Sequence, residues 1–189
     1  MKKFELTADT KMFLGRKLFR IKALISFGNV KVGDMGGYIE KEENLSQSGN
    51  AWVYGDARVY GNARVSGNAR VYGDAWVYGN AWVYGDAWVY GNAWVSGNAR
   101  VYGNARVYGD AWVYGDADYA TASGFGSEYR TTTFFKLKNS DEIGVRCGCF
   151  YGTLKEFKEK VKETHGETKK AKEYLMLADL MEYRFSEEK

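Results

Sequence analysis

From residue 49 to residue 120 one arrangement of apolar and polar positions recurs every six residues. The chain reads GNAWVY, GDARVY, GNARVS, GNARVY, GDAWVY, GNAWVY, GDAWVY, GNAWVS, GNARVY, GNARVY, GDAWVY and a degraded GDADYA, twelve hexads over 72 residues. In each unit Ala and Val stand two positions apart with Trp or Arg between them. A short extended stretch therefore sends Ala and Val to one side and the large residue to the other. A six-residue period does not match a helix. The Gly followed by Asn or Asp tolerates left-handed backbone angles and predicts a sharp corner after each strand. Three strands and three corners close a triangular coil.

Hexads with an aliphatic residue, a small residue two places earlier and a Gly-Asn or Gly-Asp corner resemble the left-handed parallel β-helix of hexapeptide-repeat proteins. The resemblance covers the middle third of the chain. With the three hexads per coil of that family, twelve hexads imply about four coils roughly 4.8 Å apart, a rod of about 20 Å. The implied class is an all-β solenoid with a small α+β C-terminal cap.

The flanks extend the pattern. Gly37-Tyr38-Ile39-Glu40 repeats the small-x-aliphatic-x order and Leu45 follows Ile39 by six, so an irregular first coil is expected from about Val32, with a bulge or loop at Gln47-Ser48. Thr121 to Ser127 is small and Gly-rich, as in an exit loop. Thr131–Lys138 and Ile143–Phe150 read as a hairpin turning at Asn139-Ser140-Asp141. Thr153 and Glu156 form a capping box for a helix from Leu154 to Thr164 that Gly166 stops, and a second helix runs from about Lys169 to Tyr183. The expected organisation is an N-terminal strand and first coil over 1–48, the repeat over 49–120 and a cap over 121–189.

Composition narrows the functional classes. The net charge of +3 divides into +3 over residues 1–48, −1 over 49–120 and +1 over 121–189. No segment carries the dense positive field of a duplex binder. Glu5, Asp9 and Lys11 interrupt any apolar stretch after Met1-Lys2-Lys3, which argues against a signal peptide and for a cytoplasmic protein. Leu18 to Phe27 is broken by Arg20 and Lys22 and is too short to span a bilayer.

Stacking every third hexad defines three outer faces. The first carries Trp52, Arg70, Trp88 and Arg106 beside Tyr54, Tyr72, Tyr90 and Tyr108. The second carries Arg58, Trp76, Trp94 and Trp112 beside Tyr60, Tyr78, Ser96 and Tyr114. The third carries Arg64, Trp82, Arg100 and Asp118 beside Ser66, Tyr84, Tyr102 and Ala120. All six tryptophans are expected to point outward. Such ladders hold coils together through ring stacking and cation–π contacts, or they form an aromatic wall for a partner. For a partner surface the candidates are Trp76, Trp94, Trp112, Tyr78, Tyr114, Arg58, Trp88, Arg70 and Arg106, a composition typical of binding hot spots.

Catalytic chemistry has little to stand on. Hexapeptide-repeat acyltransferases use a His as general base, and some hold a metal with three. This chain has only His165, outside the repeats and just before Gly166, where a cation at a helix C-terminus is routine. No catalytic residue and no cofactor are assigned. Cys147 and Cys149 would share one strand face, and with His165 they offer three metal ligands without a fourth; the same thiols are explained by packing. Their spacing would strain an intrachain disulfide.

A second resemblance lies in the flanks. Val32-Gly33 with Gly36-Gly37-Tyr38-Ile39-Glu40 and Glu43-Asn44-Leu45-Ser46, and Gly148-Cys149-Phe150, Gly152-Thr153-Leu154, Phe157, His165-Gly166 and Tyr174, look like the ends of hexapeptide-repeat proteins of phages and prophages. That resemblance implies a mobile-element origin without fixing an activity. The expected function is non-enzymatic binding of a host protein, for example to block a defence system, or self-association into a homo-oligomer. Acyl transfer and sequestration of a small nucleotide are the alternatives.

Overall fold

Each Ala-x-Val stretch turns one corner and meets the chain again eighteen residues later, Arg58 beside Trp76 being one instance. A computed structural model describes residues 1–126 and 128–186. Among them, β1 (Phe4–Phe13), β2 (Arg16–Ala23) and β3 (Met35–Ile39) precede eleven two-residue strands, from β4 (Trp52–Val53) to β14 (Trp112–Val113), that start every six residues. Arg58, Trp76, Trp94 and Trp112 pair in parallel in that order. Trp52, Arg70, Trp88 and Arg106 form a second parallel sheet, and Arg64, Trp82 and Arg100 a third. The protein is a β-solenoid of four stacked turns, counted on the four-stranded sheet.

The inside of the coil is a column of repeat alanines and valines, essentially all fully buried. This packing, with the strand-to-strand backbone hydrogen bonds, replaces the layered core of a globular domain. Corners depend on glycine for two reasons that Gly91 illustrates. Its φ is +74°, and a Cβ built there would lie 2.9 Å from the Gly109 backbone nitrogen one turn on. The residue after each glycine adds an amide ladder. Asn50 Nδ2 donates to Asn68 Oδ1 and Asn68 Nδ2 to Asp86 Oδ1, both at 3.0 Å, and Asn62, Asn80 and Asn98 repeat the chain of bonds at 3.2 Å.

A solenoid leaves unpaired strand edges at each end, and side chains occupy both. At the start, Lys3 Nζ donates to the Ala51 carbonyl at 2.9 Å, and Asn44 Nδ2 donates to those of Ala63 and Gly61 at 2.9 and 3.1 Å. At the finish, Asp116 Oδ1 accepts from Arg100 N at 2.7 Å, while Tyr119 Oη donates to the Arg100 carbonyl at 2.6 Å.

The first coil closes as expected, with Leu45 bridging to Val65. It begins at Met35 rather than near Val32, because the preceding residues form more than one strand. β1 and β2 are an antiparallel hairpin that continues the second-face sheet through β3. Asp118 does not supply a fourth rung of the third face. Residues Asp116–Asp118 form a 3-10 turn, and Asp118 Oδ2 accepts from the Tyr114 and Gly115 amides at 3.0 and 2.8 Å.

The cap holds more strands than its expected hairpin. β15 (Tyr119–Ala122), β16 (Thr132–Lys136), β17 (Ile143–Cys147) and β18 (Phe150–Thr153) form one antiparallel sheet in that order. Thr121 and Ala122 therefore belong to a strand and not to an exit loop; Ser127, the end of that expected loop, lies outside the described residues, as do residues 187–189 of the cap. The run Ile143–Phe150 is split by a two-residue turn in which Gly148 takes φ +57°. α1 (Leu154–His165) and α2 (Lys169–Phe185) follow. The capping box is present, with Glu156 Oε2 accepting from Thr153 N at 2.7 Å and Thr153 Oγ1 from Glu156 N at 3.3 Å. Phe134, Val145, Phe157, Val161, Tyr174 and Ala178 make a second core between this sheet and the helices.

Candidate interaction surface

The repeat places its large residues in the expected three ladders, and the end pieces then cover two of them unequally. On the first face Trp52 is only 1% exposed. Phe4 and Phe27 meet its ring edge-on at 6.2 and 5.4 Å. The expectation that all six tryptophans are presented outward thus fails for Trp52, which leaves the coil interior only to be enclosed by the N-terminal segment. Farther along, the Arg70 and Arg106 guanidiniums lie 5.2 and 4.6 Å from the Trp88 ring centre. Tyr72 and Tyr90 stack at 4.8 Å, and Tyr151 and Arg146 of the cap close over Tyr108 at 4.5 and 5.3 Å.

The second face, richest in Trp, is clamped from both directions. Trp76 and Trp94 stack at 4.6 Å with ring planes 10° apart. Phe13 of the N-terminal hairpin meets Trp76 edge-on at 4.7 Å, and Arg58, itself buried, packs against both rings at 4.7 Å from Phe13 and 5.7 Å from Trp76. From the other end Lys138 sits 3.9 Å over Trp94 and donates to the Asn92 carbonyl. Burial lowers the Lys138 pKa, with the Asp110 charge opposing the shift. Tyr78 stacks on Tyr60 at 5.1 Å under Phe13 and Arg16. Burial, helped by the neighbouring Tyr78, raises Tyr60 to about 12, and burial raises Tyr72 on the first face to about 12. Of the nominated candidates, Trp112, Tyr114 and Arg106 remain exposed; Trp76, Trp94, Tyr78, Trp88 and Arg70 are half-buried.

The third face is the open one. Arg64 and Arg100 are exposed, and Trp82 and Tyr102 are 47% and 53% exposed. Arg64 lies 5.6 Å over Trp82, and Tyr84 and Tyr102 stack at 5.3 Å. Beyond Tyr102 the surface dips into a cavity of about 680 Å³ that Leu180 and Tyr183 of α2 also line. Met176, Leu180 and Tyr183 are exposed at helical spacing on α2, so an apolar helix stripe adjoins the aromatic ladder. Counting tryptophans favoured the second face, whereas exposure follows from which ladder the terminal hairpins cross.

The remaining candidates lie in the cap. His165 ends α1 and stacks on Tyr174 at 5.8 Å, away from the clefts between coils. Cys147 is on β17, but Cys149 falls in the Gly148 turn, so the two thiols do not share a strand face. Among the described residues no three His, Cys, Asp or Glu side chains are grouped to hold a metal. Among the described residues no helix is long and apolar enough to cross a membrane.

A family model described as the YdcK beta solenoid repeat matches six stretches, the overlapping residues 51–66, 57–73, 63–79, 75–91 and 81–97 and the separate 99–115. Each is nearly one coil long, and together with the parallel register they make the chain a repeat β-helix protein. No curated protein matches it.

Proposed function

We propose that this protein is a non-enzymatic binding scaffold of the hexapeptide-repeat type, which engages another protein through the third face of its solenoid. The observation that carries this reading is the surface of exposed Arg64, Trp82, Arg100 and Tyr102 around the half-buried Tyr84, continued by Leu180 and Tyr183 across the adjoining cavity. Trp, Tyr and Arg are the residues that dominate interface energies, and a contiguous aromatic patch of this kind on a soluble chain marks a surface to be covered. The phage-like flanks make a cytoplasmic host protein the expected partner, with inhibition of a defence system one specific form.

The test is a pull-down from host lysate alongside sedimentation of the purified protein. Trp82→Ala with Tyr102→Ala should reduce capture of the partner at least about tenfold, since each hot-spot truncation costs about 2 kcal/mol or more. The thermal midpoint should stay within a few degrees. If the partner is a second copy, the same double variant turns a dimer into a monomer. Wild-type behaviour of the variant in both assays would exclude the third face.

A further inference from the structure

Two adjoining cavities lie at the cap, one largely apolar and one polar. One, of about 470 Å³, has Phe150 and the edges of the buried Phe157, Val161 and Tyr174 as its apolar surface, and Cys147, Lys160 and His165 also line it. Its rings are locked against one another, Phe157 standing 5.4 Å from Phe150 and 5.7 Å from Tyr174. The other, of about 410 Å³, is lined by Asn104, Arg106, Tyr129, Arg130, Thr131 and Gly148. Arg130 and Gly148 line both, so the cavities meet at the Gly148 turn.

The polar cavity contains two guanidiniums and no carboxylate among its lining residues. Arg106 is held in place from behind, its guanidinium 4.6 Å over Trp88 and its amide donating to Thr133 Oγ1 at 2.9 Å. Arg130 has Glu128 at 3.6 Å, on the apolar cavity's rim, but both side chains are more than half exposed, so water screens that pair and leaves it easily exchanged. Guanidiniums present parallel donors that match a carboxylate or a phosphate, and one already oriented loses less freedom on binding. A concave, aromatic-lined space of a few hundred Å³ with a few convergent polar groups has the form of a small-molecule site.

We propose that the joined cavities bind a small amphipathic anion. Its carboxylate or phosphate is held by Arg106 and Arg130, and an apolar body of about ten carbon atoms lies on Phe150, against the exposed edges of Phe157 and Tyr174. This site is separate from the third face and does not depend on the protein-binding role.

Calorimetric titration of the full chain with 2-naphthoate, 2-naphthyl phosphate, 2-naphthylmethanol and inorganic phosphate tests it. At least one naphthyl anion should bind at one per chain, and the uncharged alcohol and bare phosphate each at least about tenfold more weakly. Arg130→Ala should weaken the anion at least about tenfold without moving the melting temperature. Binding equally strong for the alcohol, binding that survives Arg130→Ala, or no binding of either anion would overturn the proposal. As a second readout, the bound anion should slow alkylation of Cys147 by iodoacetamide in a Cys149→Ser background, which exchanges a single atom of the cavity lining; an unchanged rate at saturating anion would also overturn it.

Discussion

The Lys3 ammonium lies 2.9 Å from the Ala51 carbonyl oxygen in a side chain that is 1% exposed. It stands where a preceding turn of the solenoid would have placed a backbone amide. Burial lowers the Lys3 pKa to about 8 from its ordinary 10.5. Between those values the unfolded chain holds more protons than the folded one, so stability from this residue rises with pH across the window and is flat outside it. The expected gain from pH 7.5 to 10 is about 2 kcal/mol. Urea melts at both pH values should show wild type gaining on Lys3→Met by about that amount; a constant difference would mean the ammonium is not desolvated.

Tyr60 shows the opposite sign. Burial beneath Phe13 and Arg16 raises its phenol to about 12, so its contribution is complete below pH 10 and is lost as pH climbs to 12. Tyr60→Phe removes the ionisation, and the variant should lose less stability than wild type over pH 10–12, by about 2 kcal/mol. Phenolate absorbance followed during alkaline titration should show one fewer late-titrating tyrosine. Parallel alkaline limbs for the two proteins would place Tyr60 in contact with solvent.

Much of this architecture is legible in the repeat. Equal spacing of Ala, Val and Gly fixes the coil, and the coil fixes which outer residues meet, so the order Arg58, Trp76, Trp94, Trp112 follows from counting eighteen. What covers those ladders does not follow. Phe4 and Phe27 reach Trp52, and Lys138 reaches Trp94, from aperiodic segments whose path depends on tertiary packing. The cap cavity is hidden for the same reason, since Arg106 belongs to the repeat and Arg130 to the segment before β16. The extra strand β18 was masked by Gly148, which continues an apolar run in sequence while reversing the chain in space.

The corner ladders offer a stabilising substitution. Asn62, Asn80 and Asn98 pass an amide bond from turn to turn, each Nδ2 donating to the next Oδ1. In the neighbouring column Asp56 and Asp74 occupy corresponding corners eighteen residues apart, two carboxylates where an asparagine would supply a donor. Asp56→Asn supplies a donor to the Asp74 carboxylate. The expected gain is about 1 kcal/mol, a rise in melting temperature of roughly 2–4 °C for a chain of this size. Asp74→Glu, which keeps the charge and misplaces the acceptor, should give none of it, and an unshifted melting curve for Asp56→Asn would show that corner amides contribute no stability.

The far end of the third face is closed by two side chains acting in place of a strand. Arg100 presents one amide and one carbonyl to the space where a fourth rung would pair; Asp116 Oδ1 accepts from the amide at 2.7 Å and Tyr119 Oη donates to the carbonyl at 2.6 Å. Burial raises the Tyr119 phenol pKa, as expected for a hydroxyl that stays protonated and donates. Asp116→Ala with Tyr119→Phe leaves both Arg100 groups unpaired, and the cost of losing two such bonds at a partly covered edge is about 2–3 kcal/mol. An exposed parallel edge is also a template for another strand. The double variant should therefore melt lower and, at high concentration, elute from size exclusion as larger species than wild type. Loss of stability without association would assign the pair to holding the cap alone; neither effect would remove the edge-closing role.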